Sequence, residues 1–368
     1  MYTINDVKNF QLFKQHLVSP KNKVFSERNL LDLLDSIGYI QLDSINVTNA
    51  RSQDIFLWSR FIKYSTNNYT SLYSSGGIVE IYSRFLSLMT RSSPIVSKIH
   101  FINFFNLQKE KNYPSFLKTL NRLEITGPVY KKDFVKNRNS QHWNLSEADT
   151  VIDKLWRAGL IKISRDHAFR KIIEANKVDA IPKLIDIRTE KLKLSRELLL
   201  QVLNNLGATT KSDLFRNISI HKSLFEQAFD EAIQTQEISE IPIEGENYYM
   251  LSNDLPFFTE TSIQPRNCAL LTPFDNLIQD RIRTQRLFGF NYKLESYIPN
   301  SMRIHGYFAL PILIHGEIVG TVDLRFNRRE RRLDINRLVW RDKFKNNNCC
   351  LNILCDLLGD LEDFVTNQ

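Results

Sequence analysis

Two stretches of this chain share one pattern, a helix stopped by a glycine and followed at once by a short strand. That repetition restricts the fold more than any other feature. The first is Asp35-Ser-Ile-Gly-Tyr-Ile-Gln-Leu42 and the second Trp156-Arg-Ala-Gly-Leu-Ile-Lys-Ile163. In the first, Leu30, Leu33, Leu34 and Ile37 fall at i, i+3, i+4, i+7, and Gly38 stands where a helix takes its C-terminal glycine. In the second, Ser146 with Asp149 three residues on makes a capping-box-like start, and Val151, Leu155 and Ala158 form the buried stripe. Upstream lies a further helical run at about 116–125, broken by Gly127-Pro128 before 129–134. The order is therefore helix, turn, short helix, longer helix, strand. Ser164-Arg165-Asp166-His167 then turns the chain back as a wing.

A third unit of the same order starts near Ser195. Leu198, Leu199, Val202 and Leu206 belong to a helix ended by Gly207, a second helix starts at Thr210, and a third covers about 221–234. Two strands, 238–243 and 248–251, joined at Glu244-Gly245-Glu246, make a hairpin where a wing belongs. Three helix-turn-helix units with wings is one reading of this series; an unrelated helical array with small hairpins is the other. From Arg303 onward the period becomes two. Segments 307–314, 318–324 and 333–338 form a three-stranded meander, the makings of a small sheet or barrel, and an amphipathic helix at about 351–364 closes the chain.

Among the segments that follow a helix stop, Gln41-Leu42-Asp43 carries the most chemistry. On an extended segment Gln41 and Asp43 point to one side, roughly 6–7 Å apart, while Ile40 and Leu42 face a core. An amide beside a carboxylate suits the handling of a sugar cation, although Gln-x-Asp alone arises about once by chance in a chain of this length. Charge adds a partner class. The 49 Lys+Arg against 41 Asp+Glu leave +8, which favours polyanions mildly. Five arginines and one glutamate crowd into 325–332, followed by Arg337, Arg341, Lys343 and Lys345. That run is either a solvated turn or a phosphate clamp.

Cys268, Cys349, Cys350 and Cys355 show no C-x-x-C pair and no zinc spacing, so they read as free thiols, and neither a metal nor a disulfide framework is expected. No basic leader precedes an apolar stretch, and the longest apolar run, 307–314, is too short to span a bilayer. The expectation is a cytoplasmic protein with no membrane partner.

At this point the residues resemble a known family, the AlkZ and YcaQ-type bacterial DNA glycosylases of the winged-helix superfamily, which unhook DNA interstrand crosslinks. The motif is that of the YcaQ-like branch, Gln-x-Asp rather than Gln-x-Gln, here Gln41-Leu42-Asp43 within a run ending at Val47. It is followed by Ala50-Arg51-Ser52 and Leu57-Trp58-Ser59-Arg60. Further matches come in order: Gly127-Pro128-Val129, Asp133-Phe134, Leu271-Thr-Pro-Phe-Asp275, Asp280-Arg281, Tyr292-Lys-Leu-Glu295, Gly306-Tyr-Phe308, and Gly320 with Asp323. Two departures stand out. Many members carry Trp-Ala-His after a Glu-Tyr pair, where this chain has Glu80-Ile81-Tyr82-Ser83-Arg84, and Gln279 replaces a tryptophan common before the Asp-Arg pair.

The resemblance implies an α+β chain of three tandem winged helix-turn-helix units followed by a small C-terminal β-barrel, with boundaries at 1–110, 111–190, 191–262 and 263–368. It also implies a DNA-binding concavity with Gln41 and Asp43 at the catalytic centre and no cofactor. The expected partner is double-stranded DNA carrying alkylated or crosslinked purines, met by a monomeric, nucleoid-associated enzyme. Candidate DNA contacts are Ser44, Asn46, Arg51, Ser52, Arg60, Arg84, Thr272, Asp275, Arg281, Arg325, Arg328 and Arg329. Some keep a plainer reading: Trp58 at helical spacing from Phe61 and Ile62 reads as core, and Asp275 as a helix cap.

Cleaving the N-glycosidic bond builds positive charge on the deoxyribose, as in glycoside hydrolysis. Asp43 is the candidate to stabilise that charge and to activate water, with Gln41 positioning. An N7-alkylguanine already carries a positive charge, so it leaves without a general acid. No lysine lies beside the pair in sequence, Lys23 and Lys63 being nearest, which favours a water nucleophile over a Schiff base. A guanine tethered to the opposite strand cannot be extruded freely, so an open surface is required. The alternative function is a winged-helix DNA-binding regulator without catalysis.

Overall fold

The glycine-stopped helices and short strands build an α+β chain with several small sheets. The computed structural model describes residues 2–66, 68–111, 113–134, 147–166, 168–176, 187–260 and 264–367. It divides into two units. One comprises Met1–Asn68, Leu200–Ile218 and Asp230–Gln368; the other comprises Tyr69–Leu199 and Ser219–Phe229.

In the first unit, helix Ile4–Lys14 starts at a capping box formed by Thr3 and Asp6. Its Val7, Phe10 and Leu12 enter a core shared with Ile241, Ile243, Tyr248 and Met250 of the hairpin and with Leu277, Phe288, Leu313 and Ile318. That hairpin pairs Ile238–Ile243 with Glu246–Leu251, and strand Thr209–Thr210 adds to its Tyr248 and Tyr249. Helix Glu27–Ile37 is capped by Ser26, whose hydroxyl accepts from Asn29 N, and it buries Leu30, Leu33, Leu34 and Ile37 as the spacing requires. Gly38 closes it at φ 84°, and a Cβ there would lie 2.0 Å from Asn205 Nδ2. Only glycine fits both demands. Trp58 is core, stacked with Phe364 at 6.0 Å.

The C-terminal region is not a barrel. It is an open four-stranded sheet in the order Cys268–Leu270, Leu310–Ile314, Glu317–Asn327, Arg332–Trp340. The first strand is only three residues long and pairs solely with 312–314, while the last pairs solely with 320–327. Its edges therefore never meet, which barrel closure demands. Ile318 to Leu324 are buried without alternation, so both faces of the central strand are covered. Helix Asn348–Thr366 packs on the other three strands of this sheet and buries Cys350, Leu354, Leu361 and Val365.

In the second unit, helices Tyr113–Thr126, Lys131–Phe134 and Glu147–Arg157 pack Phe116, Leu123, Phe134, Val151 and Leu155 around one core. Antiparallel strands Ile161–Arg165 and Lys171–Ala175 follow as a hairpin, whose turn is held by Asp166 Oδ1 accepting from Ala168 N and Arg170 N. Ser146 and His167 lie outside the described residues. A second hairpin, Ile78–Tyr82 with Leu86–Thr90, carries Glu80. Its buried carboxylate accepts from Arg165 at 2.6 and 2.7 Å and from Tyr73 Oη at 2.9 Å.

Candidate active site

The strand that leaves Gly38 shows the alternation its sequence requires. Ile40 and Leu42 are 1% and 3% exposed, whereas Gln41 and Asp43 are half-buried on the other side. Asp43 is held by its own backbone: Oδ1 accepts from Ile45 N at 2.7 Å, and Asp43 N donates to the buried Gln53 Oε1 at 3.4 Å. This is an Asx turn, which fixes the carboxyl group without neutralising it. Among the described residues no cation pairs with Asp43. Partial burial pushes its carboxyl up from the usual aspartate range, and the Ile45 amide only partly opposes that.

The segment 272–280 frames the same strand. Asn276 Nδ2 donates to Tyr39 O at 2.8 Å and to Ile37 O at 3.3 Å, clamping the glycine turn from outside. Gln279 Nε2 donates to Gln41 Oε1 at 2.9 Å, and Tyr39 Oη donates to Gln279 Oε1. Asp275 anchors the segment. Its carboxylate, fully buried, takes a two-pronged ion pair from Arg60 at 2.9 and 3.0 Å, and its Oδ1 also accepts from Leu277 N. Arg60 also donates to Gln15 O, Phe56 O and Ser59 Oγ and lies over the Phe56 ring.

The structure thus commits Arg60 and Asp275, both expected at the DNA, to each other inside the fold. Ser52 and Thr272 do likewise: both are 1% exposed and their hydroxyls bond to one another. Side chains buried this completely lie out of reach of a phosphate. Their contribution to the site is to hold helix Ser52–Trp58, which carries Gln53, against the 272–280 segment.

The other candidates are closer to solvent. Ser44 is exposed, Arg51 is half-buried at the cap of helix Ser52–Trp58, and Arg281 is exposed at the start of helix Arg281–Phe288. Arg84 lies exposed in the hairpin turn of the second unit. Asn46 faces a groove of about 870 Å³ lined also by Val47, Tyr307, Arg325, Asn327 and Arg328. Its Oδ1 is buried there without a hydrogen-bond partner among the described residues. Phe326 N donates to Val47 O at 2.8 Å, so the loop that carries Asp43 is tied to the arginine-bearing strand. Of the arginine run, Arg331 binds Thr366 O and Arg332 pairs with Glu330 and Asp334, which leaves Arg325, Arg328 and Arg329 exposed as the outward charges.

Three residues of this assembly escaped sequence reasoning as site members: Gln53, Asn276 and Gln279. Gln279 had a signal, its departure from a common tryptophan, but its partnership with Gln41 spans 238 residues and has none. Among the described residues no group of three or more His, Cys, Asp and Glu stands ready for a metal ion, and no helix is long and apolar enough to cross a membrane.

A family model described as "DNA glycosylase AlkZ-like" matches residues 110–355, more than half of the chain. The chain belongs to the AlkZ-like DNA glycosylase family. The matched residues include Gln279, Arg281 and the arginine run but begin after Gln41 and Asp43. Streptomyces sahachiroi DNA glycosylase AlkZ is a similar solved structure, with a TM-score of 0.65 at 12% identity, covering 99% of this chain and 97% of that one. At that identity the likeness speaks for the fold. The AlkZ-like enzyme is therefore a DNA glycosylase acting on DNA, and a regulator without catalysis is set aside.

Proposed function

We propose that this AlkZ-like enzyme is a monofunctional glycosylase that hydrolyses the N-glycosidic bond of N7-alkylated purines, including those in interstrand crosslinks. The observation that carries the reading is the state of Asp43: half-buried, oriented by the Ile45 amide and without a neutralising cation among the described residues. A fixed, partly desolvated carboxylate favours a developing positive charge on the sugar far more than one in bulk water does. It also serves as the base for the attacking water. Gln41 beside it holds that water or the sugar-phosphate. An N7-alkylpurine supplies its own leaving-group charge, so the lone carboxylate suffices.

On this reading Asn46, Arg325 and Arg328 line the groove along which one DNA strand approaches, and the exposed Ser44, Arg329 and Arg281 add phosphate contacts. An open groove accepts a purine that cannot leave the duplex. The helical series ending in the hairpins 161–175 and 238–251, with the Gln41 region before them, are read as three winged-helix units. The test uses purified protein with duplex carrying N7-methylguanine and, separately, a nitrogen-mustard crosslink. Alkali-labile sites and unhooked strands, with no nicking before alkali, support the proposal. Intact N7-methylguanine and crosslink under single-turnover conditions would overturn it, and strand cleavage without alkali would replace the water by an amine nucleophile.

A further inference from the structure

The Gln41 side chain has two ends with opposite hydrogen-bonding character, and only one can face the reacting atoms. Its Oε1 is taken by Gln279 Nε2 at 2.9 Å, while its Nε2 donates to no group among the described residues. Gln279 is itself directed by Tyr39, whose hydroxyl donates to Gln279 Oε1. A phenol is a better donor than acceptor because its oxygen lone pair is drawn into the ring. The direction therefore runs one way: Tyr39 to Gln279, Gln279 to Gln41. The backbone of Tyr39 is pinned by Asn276, and the segment bearing Asn276 and Gln279 is anchored by the buried Arg60 and Asp275 pair.

We propose that Gln279 is a positioning residue for glycosidic cleavage, holding the Gln41 amide so that its NH2 end, rather than its carbonyl, is presented beside Asp43. The inference rests on the catalytic reading of Gln41 and Asp43. An NH2 group directed outward donates to the attacking water's oxygen or to a phosphate oxygen. That leaves the water's protons free for the Asp43 carboxylate. A carbonyl in its place competes with Asp43 for those protons and repels phosphate.

The test is single-turnover base release from N7-methylguanine duplex with Gln279→Leu, Gln279→Glu, Gln41→Ala and the Gln41→Ala, Gln279→Leu pair. Gln279→Leu should slow release about tenfold with DNA affinity kept within about twofold, the signature of lost orientation rather than lost binding. Gln279→Glu is nearly isosteric, so it keeps the fold. Its carboxylate accepts from both neighbours and turns the Gln41 amide around. Its rate relative to wild type should therefore recover as the pH falls and a protonated carboxyl again donates to Gln41 Oε1. In the Gln41→Ala background Gln279→Leu should add nothing. A full rate for Gln279→Leu, additive losses in the pair, or a Gln279→Glu ratio flat with pH would overturn the positioning role while leaving the catalytic reading intact. A full rate for Gln41→Ala would overturn both.

Discussion

Arg60 and Asp275 decide between two accounts of the same motif, contact with DNA or support of the site from behind. The structure gives the magnitude. The two side chains are 1% and 0% exposed and share two charge-assisted hydrogen bonds at 2.9 and 3.0 Å. Asp275→Ala leaves the guanidinium with only neutral acceptors, Gln15 O, Phe56 O and Ser59 Oγ, in a place water does not reach. Breaking one side of such a pair costs about 3–5 kcal/mol, whereas replacing both partners by apolar groups of similar size is often close to neutral. At roughly 2–4 °C per kcal/mol, the unfolding midpoint should fall by about 6–20 °C. Calorimetry on Asp275→Ala, Arg60→Met and the Arg60→Met, Asp275→Leu pair checks this, the pair recovering most of the loss. DNA affinity measured well below each midpoint should keep the wild-type dependence on salt. If Arg60→Met kept the wild-type midpoint and flattened the salt slope by about one unit, Arg60 would be a phosphate contact and the burial argument would be wrong.

Asp43→Asn retains an oxygen for the Ile45 amide but loses the charge, so base release should drop by about two to three decades with DNA affinity nearly unchanged; single-turnover rates beside anisotropy titrations separate the two. Folding raises the Asp43 carboxyl above its unfolded value, so the folded chain holds that proton more tightly and the residue's contribution to stability is lost as pH rises. Asp43→Asn should accordingly be at least as stable as wild type at neutral pH, a result that denaturant midpoints decide. The same shift places the acid limb of wild-type activity above the pH at which an ordinary aspartate titrates, and Asp43→Asn should lack the limb. Replacing Arg328 and Arg329 with alanine should flatten log affinity against log salt by roughly one to two units while hardly changing lesion selectivity. An unchanged slope in anisotropy would make that turn a solvated one.

Local rules made much of this protein legible. The stripe Leu30, Leu33, Leu34, Ile37 and the stop at Gly38 are properties of a few adjacent residues, and so is the alternation that buries Ile40 and Leu42 and turns Gln41 and Asp43 outward. The hairpins at 161–175 and 238–251 follow from short-range turn chemistry in the same way. What failed was closure and partnership. Whether four strands curl into a barrel depends on edges that meet through space, and three residues at 268–270 against a long strand 317–327 do not supply them. Whether Arg60 meets phosphate or Asp275 depends on a partner 215 residues away, and charge alone reads the same in either case. Gln279 is the sharpest instance. Its side chain acquires a role only when the fold sets it between Tyr39 and Gln41, because a hydrogen bond is specified by position within a few tenths of an ångström, which sequence separation does not encode.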